Sequence, residues 1–301
     1  MELRHLRAFI AVAEERNFSR AAARLHISQP PLSQQIQALE AELGVRVFER
    51  GRNGASLTAA GASLLPQARA VLEQLQRAVE QAQRAGRGET GSLAVGFAGS
   101  MPFSAVMPQL LHDFRVAWPE VELQLREQPS RAQIDDLVTR KLDVGFVRPT
   151  RHAQLAELQT RVLLREPLVA ALHAQHPLAD RPSIRLRELR HEPFMLYSAT
   201  LGSGLREHTL ALCLKAGFNP RIAQEVHEMP TLISLVSAGI GVGLVAASMR
   251  RAQMPYVRYL DLLDAGAHSD IVLAWKRDNA SPALRNFLAL AAPEHAAAPP
   301  G

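Results

Sequence analysis

The sequence predicts an N-terminal unit of helices with one hairpin, a long connecting helix, and a larger C-terminal α/β domain. The first observation is length, because 301 residues suffice for about two domains. The second is a change near residue 91 from helical spacing to alternating strands and helices. The third is a seam of apolar residues between positions 65 and 82, spaced alternately by three and four.

The composition is that of a folded protein from a reducing compartment. Hydrophobic residues make up 47% of the chain, which argues against disorder. The single cysteine, Cys213, excludes an internal disulfide framework and a thiolate metal cluster. Charged and apolar residues are interleaved from Met1 to His5, so no secretory signal is predicted. We therefore expect a cytoplasmic protein, and its formal net charge of +5 is compatible with a polyanionic partner.

One apolar stretch needs to be weighed as a membrane span. Met229 to Met249 carries no charged residue and is long enough to cross a bilayer. Pro230 and the alternate glycines from Gly239 to Gly243 instead favour a helix over 230–238, a turn, and a buried strand over 242–247. We therefore expect no membrane-spanning segment.

The N-terminal unit opens with two predicted helices. Apolar residues at helical spacing predict the first over residues 3–13. A polar break follows, in which Ser19 is the predicted N-cap of a short alanine-rich helix ending at Leu25.

The third predicted helix has an unusual start. With Ser28 as N-cap, Pro30 and Pro31 fall in the first turn, where backbone N–H groups have no intrahelical partner. An apolar stripe then runs to Leu43, and Gly44 is the predicted C-terminal stop. A hairpin is predicted next, with strands over 45–50 and 55–57 and a turn over 51–54.

A long helix is predicted from Thr58, its N-cap, to about Arg84. Pro66 inside it implies a kink or a late helix start. Its apolar seam is narrow enough to suit a partner helix. The seam consists of Leu65, Ala68, Leu72, Leu75, Val79 and Ala82. The glycine-rich segment from Gly86 to Gly91 is a predicted flexible joint.

The remainder alternates between strands and helices, which predicts an α/β domain with a largely parallel sheet. Strands are predicted over 92–98, 121–127 and 144–147, and helices over about 101–117 and 130–140. Besides the pair after Met229, further units follow at 162–173, 185–190, 193–197, 203–216, 222–226, 256–260, 271–276 and 282–291. The alanine- and proline-rich tail after Pro293 is predicted to be disordered.

Two short helices joined by a tight break, the second opening with Ser-Gln-Pro, precede a winged hairpin and a heptad helix. The residues that carry this pattern are Leu6, Phe9, Phe18, Ala21, Ala22, Leu25, Ser28, Gln29, Pro30, Leu32, Ser33, Ile36, Leu39, Glu40, Leu43, Gly44, Leu57, Thr58 and Gly61. On them, the chain resembles the LysR-type transcriptional regulators. The α/β remainder resembles the family's two-lobed effector domain, which is like a periplasmic binding protein. Residues 146–149 are similar to members that control the degradation of aromatic compounds.

The resemblance implies a winged helix-turn-helix whose recognition helix presents its N-terminal residues to base edges in the major groove. The expected DNA-binding residues are Ser28, Gln29, Pro30, Pro31, Ser33, Gln34, Arg50 and Arg52. Gln34 stands where many relatives have arginine, and glutamine can pair bidentately with adenine. Arg52 suits insertion into the minor groove, and Arg50 suits a phosphate. The alternative for these side chains is an ordinary solvated surface.

In the α/β domain, strand ends meet helix N-termini, whose free N–H groups and positive dipole favour anions. The expected effector-binding residues at such junctions are Ser100, Met101, Ser130, Arg148, Ser198 and Met229. Ser130 to Gln133 has the pattern of a capping box, and capping alone is the alternative role for each serine. Arg148 is either the counter-charge to a carboxylate or part of a surface ion pair. The resemblance implies an effector in this cleft, and we expect a carboxylate from aromatic catabolism.

The expected domains are a DNA-binding domain, a linker and dimerisation helix with a hinge, and an effector domain. Their limits are 1–58, 59–90 and 91–301, with a first lobe over about 91–162 and 268–292 and a second over about 163–267. The chain is expected to cross between lobes near Leu163–Leu168 and to return near Ala265–Asp270. The resemblance implies an interrupted inverted repeat near a promoter, contact with RNA polymerase, and a homodimer or homotetramer.

An enzymatic function has little support in the sequence. Gly239, Gly241 and Gly243 precede a strand, whereas dinucleotide-binding glycines follow one. His173 and His176 have the spacing of metal ligands, but no second cluster accompanies them. We expect no cofactor, no metal and no catalytic residue. The alternative is a solute-binding or enzymatic α/β domain with an incidental helical appendage.

Overall fold

The computed structural model of the chain describes residues 1–51, 54–149 and 155–291. These form two compact units, the first over Met1–Arg84 and the second from Ala85 onward. Within the described residues, no helix is both long and apolar enough to cross a membrane. The tail that was predicted to be disordered and the tip of the hairpin lie outside the described residues.

The first unit packs its helices and hairpin around one small core. Its elements are α1 Leu3–Glu15, α2 Phe18–Arg24, α3 Gln29–Leu43, β1 Phe48–Gly51, β2 Gly54–Leu57 and α4 Ala59–Gly86. In the core, the ring of Phe48 lies 5.4 Å from that of Phe9 and 5.9 Å from that of Phe18. The hairpin therefore packs on both α1 and α2.

In the first unit, the start of one helix differs from the prediction. The side chain of Asn17 accepts a hydrogen bond from the backbone N–H of Arg20 at 3.0 Å and caps α2. The predicted N-cap, Ser19, is therefore wrong, because Ser19 already lies inside the helix. Ser28 precedes α3 as predicted, with both prolines in the first turn, although its side chain makes no capping hydrogen bond.

Helix α4 begins directly after Thr58, whose hydroxyl accepts the backbone N–H of Gly61 at 3.0 Å. It continues through Pro66 to Gly86, so a late start after the proline is wrong. The first part of the seam packs on the core of the unit through Leu65 and Ala68. Val79, farther along, is 43% exposed.

The second unit has the predicted alternation of strands and helices. Its elements are β3 Gly91–Phe97, α5 Val106–Ala117, β4 Val121–Glu127, α6 Ser130–Val138, β5 Val144–Val147, β6 Leu158–His173, β7 Ser183–Ile184, β8 Pro193–Tyr197, α7 Gly204–Lys215, β9 Arg221–Val226, α8 Met229–Ser237, β10 Gly243–Ala246, β11 Val257–Leu262, β12 His268–Lys276 and α9 Pro282–Leu290. Short 3₁₀ turns occupy Met101–Phe103, Leu186–Leu189, Ala199–Leu201 and Ala247–Ala252. The helix predicted from about residue 101 therefore starts only at Val106.

The main sheet is mixed, so the prediction of a largely parallel sheet is wrong. Strand β3 is parallel to β4 and β5, but β12 is antiparallel to both β5 and β6. Strands β10 and β11 are also antiparallel to β6. The reason is that β6 and β12 carry the chain outward and back side by side, which forces opposite directions.

Two separate cores lie on either side of these crossing strands. We define the first lobe as β3–β5 with α5, α6 and α9, and its main core contains Phe114, Phe146 and Phe287. The second lobe contains β7–β11 with α7 and α8, and its core contains Phe194 and Leu232. Strand β6 pairs with β12 through residues 158–167 and with β10 and β11 through residues 168–173.

Candidate nucleic-acid interface and ligand cleft

Helix α3 is anchored by one face and open on the other. Leu32, Ile36 and Leu39 are at most 1% exposed and hold the helix on the core of the first unit. The carboxylate of Glu40 accepts the backbone N–H groups of Val47 and Phe48 at 2.9 and 3.2 Å, which ties α3 to the hairpin. The start of α3 is thereby held in a defined position relative to the hairpin.

The residues predicted to read DNA lie at this start. Ser28, Gln29, Pro30 and Gln34 are exposed, and Pro31 and Ser33 are half-buried. The hydroxyl of Ser19 donates to Oε1 of Gln29 at 3.1 Å, so the N-terminus of α3 is also linked to α2. Arg50 lies in β1 opposite Ala55. Its side chain and the whole of Arg52 are not among the parts of the chain that the structure describes.

One carboxylate connects three helices behind this surface. Glu14 on α1 receives Arg24 of α2 at 2.8 Å and Arg69 of α4 at 2.7 Å. The hydrogen bonds from Arg69 and Arg24 lower the pKa of Glu14 below its ordinary value. The arrangement keeps α1, α2 and the beginning of α4 together.

The second unit has a cleft of about 700 Å³ between its two lobes. The predicted residues Ser100, Ser130, Arg148 and Met229 line it. A volume of this size suits a small organic ligand. The N-termini of α6 and α8 both reach the cleft, since Ser130 and Met229 are their first residues.

Two of the predicted residues do not line the cleft. Met101 is fully buried in the core of the first lobe. Ser198 caps its own turn, where its hydroxyl accepts the backbone N–H of Thr200 at 3.4 Å. The nearby Ser203 lines the cleft instead.

The serines of the cleft differ in what binds them. The hydroxyl of Ser100, a residue only 5% exposed, has no hydrogen-bond partner among the described residues. The hydroxyl of Ser130 accepts the backbone N–H of Arg148 at 3.0 Å, which leaves its own O–H free to donate. The predicted capping box is wrong, because Pro129 is the N-cap and the side-chain amide of Gln133 donates to the carbonyl of Gln128 at 2.9 Å.

Arg148 is neither an unpaired counter-charge nor part of a surface ion pair. Its Nη2 lies 2.5 Å from Oε2 of Glu166, and both side chains are only 5% exposed. The other carboxylate oxygen of Glu166 accepts the backbone N–H of Ser248 at 2.8 Å. The pair joins the end of β5, the crossing strand β6 and the segment after β10. Arg148 therefore forms a buried ion pair at the cleft, and neither of its two predicted arrangements, unpaired or in a surface pair, is correct.

Several cleft residues have no counterpart in the sequence prediction. Glu127, Tyr197, His227 and Glu228 all line the cleft. Burial raises the pKa of Tyr197 well above its ordinary value, so its hydroxyl stays neutral and able to donate. Glu127 and Glu228 could have been predicted from their positions in the sequence, because one ends strand β4 and the other directly precedes helix α8.

Two glycines bring the lobes close together beside the cleft. A Cβ on Gly204, at the start of α7, would lie 2.3 Å from the carbonyl oxygen of Arg148. A Cβ on Gly202 would lie 2.9 Å from the side chain of Arg131 on α6. Only glycine allows these approaches without displacement of the neighbours.

Comparisons with known proteins cover both units. Residues 3–62 match the bacterial regulatory helix-turn-helix protein, lysR family, and residues 86–296 match the LysR substrate binding domain. The chain is 44% identical to the uncharacterized HTH-type transcriptional regulator YnfL of Escherichia coli (strain K12) over 95% of this chain and 96% of that protein. It is 38% identical to the HTH-type transcriptional regulator AlsR of Bacillus subtilis (strain 168), over 96% and 94%.

Solved structures agree with this match. The crystal structure of full-length CbnR complexed with its target DNA has a TM-score of 0.82 and 30% sequence identity. The match covers 98% of this chain and 100% of that one. The predicted architecture of a helix-turn-helix unit and an α/β effector-binding domain is therefore confirmed.

Proposed function

The chain belongs to the LysR family of DNA-binding transcriptional regulators, and on this premise we propose a function for each of its two units. The start of α3 reads the bases of an operator, and a small carboxylate in the cleft modulates the regulator. We propose the limits 1–58 for DNA binding, 59–90 for the linker helix and hinge, and 91–301 for effector binding. We propose that the cleft recognises its ligand without transforming it, and that the protein acts in the cytoplasm, where a bacterial chromosome lies.

The observation that carries the DNA proposal is the polar, exposed start of a helix that is buried on its other face. Gln29 and Gln34 are exposed there, next to the exposed Pro30. A glutamine amide can pair with adenine in the major groove, and a proline ring can contact a thymine methyl group. Arg50 and Arg52 of the hairpin are proposed to contact the DNA backbone and the minor groove. The operator is proposed to be an interrupted inverted repeat near a promoter, where the bound protein contacts RNA polymerase.

The test is binding to the DNA upstream of the protein's own reading frame. Gln34→Ala is expected to weaken binding by about 1 to 3 kcal/mol on that site and to relax the base preference at one position. Gln76→Ala, which removes an exposed glutamine of α4, is the matched control. Equal losses for Gln34→Ala on operator and scrambled DNA would contradict base reading.

The effector proposal rests on the hydroxyls and helix N-termini that meet in one cleft. Ser100 has an unpartnered hydroxyl within the described structure, and Ser130 has a free O–H beside the start of α6. Arg148 lines the cleft with its charge already paired to Glu166, and the start of α8 at Met229 completes the proposed carboxylate site. Such donors are suited to a carboxylate.

A thermal-shift screen with small aromatic and dicarboxylic acids tests this site, because a ligand that binds only the native state raises its stability. Ser100→Ala and Ser130→Ala are expected to reduce the shift. Ser198→Ala is the control, since that hydroxyl lies outside the cleft. Equal shifts for all three variants would contradict the proposed site.

A further inference from the structure

Two carboxylates without a counter-charge stand at the cleft, one from each lobe. Glu127 ends β4 in the first lobe, and Glu228 precedes α8 in the second. Both are exposed and line the cleft. In the described part of the chain, neither forms an ion pair or a side-chain hydrogen bond, whereas many other carboxylates of the chain are paired with arginine.

The described residues that line the cleft supply no free cation to balance them, and Arg131 of α6 lies at its edge against Gly202. Among the described lining residues, Arg148 is the one arginine or lysine, and its charge is already compensated by Glu166 at 2.5 Å. His227 also lines the cleft, next to Glu228. A purely anionic ligand would therefore lie beside two carboxylates that have no ion-pair partner in the described part of the chain.

The floor of the same cleft has the opposite character. Ser100 is only 5% exposed, and its hydroxyl has no hydrogen-bond partner among the described residues. Ser130 and the neutral hydroxyl of Tyr197 add further donors, and the start of α6 adds a positive dipole end. Glu127 is adjacent to this floor, because a Cβ on Gly99 would lie 2.6 Å from its Oε1.

We propose that the effector is a zwitterion, whose carboxylate binds at the serine floor and whose ammonium group lies between Glu127 and Glu228. This inference rests on the proposed effector site and adds a second pole to its ligand. Charged hydrogen bonds from an ammonium group to carboxylates are the strong ones in a partly desolvated cleft. In this arrangement the two glutamates gain a cationic partner, which a ligand with a carboxylate alone would not provide.

Because the two glutamates belong to different lobes, an ammonium group bound between them would also favour the closed form of the cleft. Glu127 and Glu228 stand on opposite lobes, so closure of the cleft would bring like charges closer and would be opposed by their repulsion. An ammonium group between them removes this repulsion, so the zwitterion binds the closed form better than the open one. That difference in affinity is what shifts a conformational equilibrium.

The test compares matched compounds on the full-length protein by calorimetry and thermal shift at pH 8. One triad is phenylalanine, 3-phenylpropanoate and phenethylamine, and the other is 4-(aminomethyl)benzoate, 4-methylbenzoate and benzylamine. The zwitterion of a triad is expected to bind at least about tenfold more tightly than its partner acid. Glu127→Gln and Glu228→Gln are each expected to remove most of this preference, and Glu122→Gln, an exposed glutamate of the same strand, to keep it.

The outcomes separate the two proposals. If the acids without an amine bind as well as the zwitterions, the zwitterion is wrong and the carboxylate site stands. If the preference for the zwitterion persists in both glutamine variants, the assignment of the glutamates is wrong. If no compound of either triad shifts the protein at about 10 mM, well above ordinary effector affinities, both the zwitterion and the carboxylate proposals are overturned.

Discussion

Arg148 and Glu166 form a buried ion pair at the point where the chain leaves the first lobe. The 2.5 Å contact joins the residue after β5 to the middle of the crossing strand β6. Glu166 also accepts the backbone N–H of Ser248 in the second lobe. The pair therefore links both lobes and the crossing strand, directly behind the cleft.

Loss of one partner of this pair is expected to destabilise the second unit strongly. Arg148→Ala leaves the carboxylate of Glu166 buried and unpaired, as Glu166→Ala does for the guanidinium. Either change is expected to cost about 3 to 5 kcal/mol of unfolding free energy. Both tryptophans, Trp118 and Trp275, lie in or against the core of the first lobe, so their fluorescence during urea unfolding follows this unit.

An exposed pair in the same lobe is the control. Arg140 and Asp278 lie 2.7 Å apart but are 55% and 64% exposed. Arg140→Ala is expected to cost at most about 1 kcal/mol, because water replaces the lost partner. A similar loss for Arg140→Ala and Arg148→Ala would show that burial does not determine the strength of the 148–166 contact.

The sequence predicted the elements well because their hydrophobic periodicity is strong. Strands 121–127 and 144–147 have the predicted bounds, and α3, with prolines in its first turn, starts within a residue of the prediction. The relative direction of the strands could not be predicted from the sequence, because a strand buried on both faces has a continuous apolar pattern whether its neighbours are parallel or antiparallel. The N-cap of α2 was misplaced because Asn17 and Ser19 are both good capping residues.

The site was predictable only in part. Ser100, Ser130 and Met229 were found because strand ends and helix starts are visible in sequence. The partner of Arg148 was not, because a pairing across two strands has no local pattern. Ser198 was chosen over Ser203 because the turn at Ala199–Leu201, which Ser198 caps, could not be distinguished from the start of α7.

The second prediction concerns the contact of α7 with the end of β5. Gly204→Ala places a Cβ 2.3 Å from the carbonyl oxygen of Arg148, so one of the two backbones must move. We expect a loss of stability of about 1 to 3 kcal/mol, as for other overpacked sites, and a weaker response to effector. Urea unfolding and thermal shift measure the two effects.

Gly86→Ala is the matched control, since a Cβ there meets nothing within 4 Å and the residue ends a helix. This change is expected to be neutral or to stabilise by up to about 1 kcal/mol. Unaltered stability and effector response in Gly204→Ala would mean that the two backbones are farther apart in solution.

The third prediction uses the single cysteine as a pH probe. Burial raises the pKa of Cys213 to about 12. An unfolded thiol titrates near pH 8.5, so above that pH the unfolded state releases a proton that the folded state keeps. The contribution of Cys213 to stability is therefore complete below about pH 8.5 and falls as the pH rises toward the folded pKa.

The measurement is the change in unfolding free energy between pH 8.0 and 9.5. The wild type is expected to lose about 1 kcal/mol more than Cys213→Ala over this interval. Ellman's reagent at pH 8 is expected to react only with the unfolded protein. Rapid reaction of the native thiol, or equal pH slopes for the two proteins, would contradict the raised pKa.

The last prediction concerns assembly through α4. Leu65 and Ala68 of the predicted seam pack on the core of the first unit, which leaves Leu72, Leu75 and Val79 for a partner helix. Val79 is 43% exposed in the single chain, and Leu72 and Leu75 are half-buried. Apolar residues at this spacing on a long helix are typical of a two-helix seam. We expect two copies to pair there and to place two recognition helices about one helical turn of DNA apart.

Leu72→Glu/Val79→Glu puts a carboxylate from each copy at facing positions of this seam, where like charges and lost apolar contacts both oppose pairing. Light scattering is expected to show loss of the dimer, with operator affinity reduced because two half-sites are no longer bound together. Gln74→Glu/Gln81→Glu adds the same charges off the seam and is expected to keep both mass and affinity. If the seam variant keeps them too, pairing occurs through another surface. If both variants dissociate, the added charge on α4 is responsible, because a specific apolar seam would distinguish them.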